Sequence, residues 1–255
     1  MERYIKGAEP FELGGGRRGC LLIHGFTGSP YEVRPLGESL AAAGYRVFGP
    51  VLAGHATDPA DLDRTSWRDW VRSADEALTL LRADCDTVFV AGLSMGGLVA
   101  SRLAAERPSD VAAVAILAAP LYLTGENGLF VAAALLSPLR FVVPRVKKTL
   151  EKDERLRAIR ERNPSYDCVP TRAAASFGAF MVRSRFSIRR VRQPALLVFS
   201  RADQDVPYGN VHLFAWGLGS SVVRKVTLED SAHLMTLDHE ADRVCAEVRR
   251  FFDEF

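Results

Sequence analysis

The hexapeptide Gly92-Leu93-Ser94-Met95-Gly96-Gly97 follows the apolar run Thr87-Val88-Phe89-Val90-Ala91 directly. The run is β-branched and reads as a strand, and the small residues after Ser94 read as the start of a helix. A chain that passes from strand to helix in so little space must put its central residue in a strained backbone conformation. Residues two before and two after that point must then be tiny, because any side chain there would collide across the turn. Gly92 and Gly96 meet this demand. The turn lifts the Ser94 hydroxyl clear of the sheet, above the amide end of the helix, so Ser94 is a candidate nucleophile.

Strands and helices alternate on both sides of this turn. Strand patterns fall at Phe11–Leu13, Cys20–His24, Arg46–Pro50, Thr87–Ala91, Val111–Ala118, Ala195–Ser200 and Val222–Leu228. Helical patterns fall at Glu32–Ala43, Ser66–Ala83, Gly96–Arg107, Tyr208–Gly217 and Glu240–Phe255. Such alternation predicts an α/β fold, a mostly parallel sheet flanked by helices. The strands are almost continuously apolar, as when both sheet faces are covered. In the last helix Val244, Val248, Phe251 and Phe252 share one stripe, which should pack on the sheet.

From about Leu121 to Arg192 the strand signal disappears. Leu129–Val143 is very apolar but broken by Pro138 and Arg140; Lys147–Arg162 is charged, with helical spacing at Leu150, Leu156 and Ile159; Ala173–Val182 is a small-residue amphipathic stretch. This span is too long for one crossover helix. The expected organisation is a core of residues 1–120 and 193–255, interrupted by a helical cap at 121–192. Gly125-Glu126-Asn127-Gly128 reads as a turn that can serve as a hinge, and the apolar run as the roof of an acyl channel or as packing of the cap. The triple glycine at 14–16 is a turn between the first two strands.

Composition narrows the function classes. Of the 255 residues, 48% are hydrophobic and 25% charged, as in an ordinary soluble domain, and the formal charge of +2 is too small to argue for nucleic acid. Cys20, Cys85, Cys168 and Cys245 have no paired spacing, so buried free thiols are expected rather than a zinc or redox site. The opening Met1-Glu2-Arg3-Tyr4-Ile5-Lys6 has no apolar signal core, and nothing reads as a transmembrane span of about twenty residues. A cytoplasmic location is the expectation.

A serine hydroxyl needs a base, and the base needs an orienting acid. Of five histidines, His233 lies in Asp230-Ser231-Ala232-His233-Leu234, between the last strand and the last helix, where open parallel sheets carry their ligands. His24 reads as a structural hydrogen-bonder, His55 as a loop organiser at the rim, and His212 and His239 as surface groups. For the acid, Asp203 is the first carboxylate past the strand Ala195–Phe199; Asp205 competes two residues on, and Asp230 is a weaker candidate. An oxyanion needs preset donors. The Met95 amide is one. The second comes from the turn His24-Gly25-Phe26-Thr27-Gly28-Ser29-Pro30, where Phe26 is the choice and Gly25 lets the backbone bend. The order Ser94, Asp203, His233 belongs to α/β-hydrolases rather than to the chymotrypsin or subtilisin types.

The turns Gly92–Gly97 and His24–Pro30 and the tail Asp230–Asp238 together resemble the α/β-hydrolase superfamily, and within it bacterial carboxylesterases and monoacylglycerol lipases with a small helical cap. The resemblance covers nearly the whole chain and is weakest in the cap. It implies a triad of Ser94, Asp203 and His233 with Phe26 and Met95 as oxyanion donors, no cofactor and no metal. It also implies hydrolysis of esters of short to medium acyl chains, monoacylglycerols among them, and lipid metabolism. The apolar cap allows transient contact with a lipid surface. The chain departs from many relatives in having Gly54-His55-Ala56 where they have Gly-His-Gly, and its N-terminal strands reduce to one short strand near Phe11–Leu13. Other readings of the same residues are a non-catalytic small-molecule receptor, a serine peptidase and a thioesterase.

Overall fold

A computed structural model describes residues 4–149 and 152–255; the expected helical position of Leu150 and the opening Met1 to Arg3 lie outside the described residues. One sheet of seven strands organises the chain: β1 (Phe11–Leu13), β2 (Arg18–Ile23), β3 (Arg46–Gly49), β4 (Thr87–Leu93), β5 (Val114–Leu117), β8 (Ala195–Ser200) and β9 (Val223–Leu228). Their order is β1-β3-β2-β4-β5-β8-β9. Only β1 is antiparallel, pairing Phe11 with Gly49 and Leu13 with Val47 on the edge. The central ladder of β2 on β4 runs from Arg18 opposite Thr87 to Ile23 opposite Gly92.

The α/β fold expected from the alternation is the fold observed. The period of two divides each strand between two cores. Leu21, Ile23, Val88 and Val90 face α3 (Trp67–Asp84), α4 (Met95–Glu106), α8 (Thr171–Ser187) and α9 (Asn210–Gly217). Cys20, Leu22, Phe89 and Ala91 face α1 (Arg34–Ala42) and α10 (Ala241–Phe252). The α10 stripe buries Val244, Cys245, Val248, Phe251 and Phe252. Phe252 stacks on Phe89 at 4.7 Å, in the middle of the sheet. Each such side chain contributes roughly 1.5–3 kcal/mol of burial.

Boundaries differ from expectation where backbone geometry overrides the apolar pattern. The first helix starts as a 3₁₀ turn at Pro30–Val33. The strand expected from Val111 begins only at Val114, although Ala112 still donates to Val88 O and Ala118 to Val198 O. A short helix, α2 (Pro59–Asp63), was not anticipated; Asp58 caps it by accepting from the Ala60 amide.

The segment between the neighbouring strands β5 and β8 carries α5 (Gly125–Leu136), α6 (Leu139–Val142), β6 (Arg145–Lys147), α7 (Glu154–Arg162), β7 (Cys168–Pro170) and α8. The strand signal is not absent there: β6 and β7 form an antiparallel pair, Val146 opposite Val169. Three-residue strands are too short for period two to show in sequence. Gly125–Gly128 is no free turn but the first turn of α5, with Gly128 donating to Thr124 O. The apolar run breaks at Pro138 as expected, since α5 ends before Ser137-Pro138 and α6 starts after them, but not at Arg140, which lies inside α6. α5 packs on α8, and α8 packs on α3 and α4. Ser176 Oγ in α8 accepts the first amide of α3, from Trp67, at 2.8 Å. No described helix is long and apolar enough to cross a membrane.

Phe252→Ala removes an aromatic ring from a fully buried site. Its expected cost is about 3–5 kcal/mol in urea denaturation. A loss below about 1 kcal/mol contradicts the packing of α10 on the sheet.

Candidate active site

Ser94 occupies the junction of β4 and α4 with φ 57° and ψ −121°. This is the left-handed half of backbone space, costly for any residue but glycine. The strain persists because the surroundings leave no alternative. The Ser94 amide donates to Leu117 O on β5 at 2.7 Å, and its carbonyl accepts from Gly97 at 2.9 Å. A Cβ at Gly92 would lie 2.1 Å from Gly96 O, and one at Gly96 would lie 2.1 Å from Ile23 O. Both neighbours are backbone atoms and cannot step aside. Met95 opens α4, so its amide is among the helix's first N–H groups, which have no partner within the helix.

The turn after β2 closes over the serine. A Cβ on Gly25 would be 3.4 Å from Ser94 Cβ, which puts this turn against the hydroxyl-bearing residue, with Phe26 next along the backbone. His24 shapes the turn: Nδ1 donates to Gly25 O at 2.9 Å, while Nε2 accepts the Leu52 amide at 3.1 Å. Burial lowers its pKa, in keeping with the neutral ring these two bonds require. His55 is not at the rim. It is buried edge-on between His24 and Trp70, and burial pushes its pKa well below the ordinary value. The Phe26 ring stacks on Phe177 of α8 at 4.9 Å.

His233 and Asp203 meet at the ends of β9 and β8. Nδ1 of His233 donates to Asp203 Oδ2 at 2.8 Å, and the Asp203 side chain is 1% exposed against 16% for His233. The other oxygen of Asp203 accepts the amides of Asp205 and Val206, both at 2.9 Å. Three donors thus hold one carboxylate, and the bond at Nδ1 leaves Nε2 as the free ring nitrogen. Burial pulls the His233 pKa down, but the charge and hydrogen bond of Asp203 outweigh it, with Asp205 and Glu32 adding, so the imidazole is raised to about 9. The side chain of Asp205 turns elsewhere: it accepts from Asn127 Nδ2 and Arg160 Nη2, at 3.1 and 3.3 Å, on the segment between β5 and β8. Asp203, Asp205 and His233 do place three potential ligand atoms within 4.8 Å of one another. Hydrogen bonds to protein partners already explain the orientation of each.

The model of the alpha/beta hydrolase family matches residues 20–247. The chain belongs to the alpha/beta hydrolase family. It is 35% identical to a thermostable monoacylglycerol lipase of Bacillus sp. (strain H-257), over 97% of this chain and 95% of that protein. It is 25% identical to a carboxylesterase of Bacillus subtilis (strain 168), over 96% of each chain. Among solved structures, one described under LipS and LipT, two metagenome-derived lipolytic enzymes, superposes with a TM-score of 0.90 at 31% identity, covering 99% of this chain and all of the other.

In this alpha/beta hydrolase the loop carrying His233 is held by carboxylates that sequence reasoning did not single out. Asp238 Oδ2 accepts the Ala232 amide at 2.7 Å and pairs with Arg155 of α7; Glu240 Oε2 accepts the amides of Asp230 and Ser231, each at 3.0 Å. Asp230, the weak third candidate for the acid, contributes its backbone to this frame. Glu32 was missed as well, although it is a buried acid in an otherwise apolar helix entry. The apolar run is buried only in part. Val131 and Ala134 are buried, but Leu129, Leu136, Phe141 and Val142 face solvent. A cavity of about 420 Å³ lined by Thr65, Leu135, Phe141 and Arg172 lies beside them, and none of its lining residues belongs to the Ser94 or His24–Pro30 turns. All four cysteines are buried and unpaired.

Two outcomes are expected. Gly96→Ala drives a methyl group into the Ile23 carbonyl and should cost more than about 2 kcal/mol, seen as a fall in Tm. By NMR the His233 ring should titrate near 9, and Asp203→Asn should bring that midpoint down by at least about one unit. Because the folded-state pKa lies above the unfolded value of about 6.5, the His233–Asp203 pair stabilises the fold fully below that pH. The contribution is lost as pH rises through about 9.

Proposed function

We propose that this chain is a serine ester hydrolase working through an acyl-enzyme, with Ser94 as nucleophile, His233 as base and Asp203 as the orienting acid. The observation that carries the reading is the His233–Asp203 bond, formed beyond the same edge of the sheet from which Ser94 rises in its strained turn. Above the His233 pKa, where the ring is neutral and Nδ1 is engaged by Asp203, Nε2 takes the proton of Ser94 as the hydroxyl attacks the ester carbonyl. The amides of Met95 and Phe26 receive the developing oxyanion, one from a helix start and one from the turn over Ser94. His233 then returns its proton to the leaving alcohol, and water repeats the cycle on the acyl-enzyme.

The substrate class is carboxylic esters of short to medium acyl chain, monoacylglycerols included. The support is the 35% identity to a monoacylglycerol lipase along almost the entire chain. Residues 121–192 act as a cap over the strand ends. Exposed Leu129, Leu136, Phe141 and Val142 offer transient contact with a lipid surface, and Arg140 and Arg172 lie over the Phe141 ring.

Ser94→Ala is expected to abolish hydrolysis and labelling by a fluorophosphonate while leaving the circular dichroism spectrum intact; esterase activity retained by this variant would refute the assignment. Asp203→Asn is expected to lower kcat by roughly 10³–10⁴-fold, through the wrong imidazole tautomer, whereas Asp205→Asn keeps most of it. A series of nitrophenyl esters beside monoacylglycerols tests the substrate class. Rates that rise and then fall with acyl length support it, and rates indifferent to length exclude a defined acyl site.

A further inference from the structure

Glu32 sits below the turn over Ser94, 4% exposed. A buried carboxylate is retained only when donors satisfy it. Two do so, from different parts of the fold. Oε2 accepts the Gly25 amide at 2.9 Å, and Oε1 accepts Nδ2 of Asn163 at 3.0 Å, just past α7. The carboxylate fills the space inside the turn so fully that a Cβ at Gly28 would lie 2.0 Å from Oε1. The backbone carbonyl of Glu32 accepts the hydroxyl of Thr236, three residues beyond His233. Close by, the Tyr166 amide donates to Thr27 O at 3.1 Å, and the Tyr166 hydroxyl donates to Gly54 O at 2.8 Å. One acid therefore joins the turn over Ser94, the segment between β5 and β8, and the loop of His233.

We propose that Glu32 is a positioning residue: braced by Asn163, its carboxylate fixes the Gly25 amide and thereby aims the next amide, that of Phe26, at the substrate oxyanion. The proposal rests on the serine hydrolase reading above and adds to it. The stretch Asn163–Tyr166 belongs to the catalytic frame, so any opening of the cap takes place elsewhere in residues 121–192. The acid is suited to this place because a carboxylate accepts from two donors at once, and donor bonds to a charged acceptor are stronger and shorter than neutral ones. Glutamine can keep both contacts without the charge. Its oxygen accepts from Gly25, and once the Asn163 amide turns over, its own amide donates to Oδ1 of Asn163, an atom buried and without a hydrogen-bond partner in the native arrangement. Alanine keeps neither.

The test measures kcat and KM per active site, counted by fluorophosphonate titration, for Glu32→Gln, Glu32→Ala and Asn163→Ala. Glu32→Ala is expected to lose at least about tenfold in kcat, with KM within about threefold, because a misplaced donor weakens the transition state more than the ground state. Its rate of phosphonylation at Ser94 should fall in parallel. Glu32→Gln is expected to stay within about threefold of the native kcat, and Asn163→Ala to fall between. Burial depresses the His233 pKa while Asp203, Asp205 and Glu32 raise it. The acidic limb of the kcat/KM profile should therefore move down in Glu32→Gln and Glu32→Ala alike, which separates the charge of Glu32 from its positioning role. Native kcat per site in Glu32→Ala overturns the proposal, as does a Glu32→Gln loss equal to that of alanine, which would make charge the operative property. If Glu32→Ala does not fold, native kcat in Asn163→Ala together with an unaltered phosphonylation rate overturns it. If the native chain fails to label at Ser94, the hydrolase reading itself is wrong, an outcome distinct from all of these.

Discussion

The site depends on one forced backbone conformation. Ser94 at φ 57° is unfavourable by itself, of order 1–3 kcal/mol, and it survives because the sheet and helix around it admit nothing else. Gly92 touches Gly96, and Gly96 touches the carbonyl of Ile23 on the neighbouring strand. The β2–β4 ladder, from Arg18 opposite Thr87 to Ile23 opposite Gly92, thus sets the position of the elbow as well as the core. Strand pairing, close packing and placement of the serine are one constraint seen at three scales.

Around that rigid point the functional loops are held by polar bonds to buried or half-buried carboxylates. Asp203 collects two amides and an imidazole, Glu240 two amides, Asp238 an amide and Arg155, and Glu32 an amide and Asn163. Loops have few apolar contacts with which to order themselves, and charge-assisted hydrogen bonds supply direction that apolar burial lacks. The segment between β5 and β8 contributes two of these partners, Arg155 to Asp238 and Asn163 to Glu32, and its Arg160 pairs with Asp205 as well. Its base is therefore continuous with the loops at the strand ends, while Leu129, Leu136, Phe141 and Val142 farther along it stay exposed.

The α/β architecture was legible because long apolar strands and amphipathic helices leave strong periodic traces, as at Thr87–Val90 and at Val244, Val248 and Phe252. The Ser94 turn was legible because Gly92 and Gly96 answer a steric demand that no larger residue meets. The pair β6–β7 was not, since three residues carry too little pattern, nor was the start of α5 at Gly125, where glycine suggested a turn. Asp203 and Asp205 were separable only in part. Both follow the same strand, and the choice rests on which side chain turns inward to His233 and which turns out to Asn127 and Arg160. His55 was placed at a rim as a loop residue; in fact the rings of His24, Phe26 and Trp70 enclose it.

The sequence by itself determined the strand and helix types, the strained serine turn and the membership of its candidate partners in loops beyond strand ends. These are local properties, written in spacing, residue size and the conformational freedom of glycine. Only the tertiary structure decided which acid reaches the histidine, that Glu32 lies beneath the turn over Ser94, and that Asn163 and Tyr166 lock onto that turn. The physical reason is separation along the chain. Asn163 and Glu32 lie 131 positions apart, and no periodicity records a contact that exists only once the sheet has brought its strand ends together.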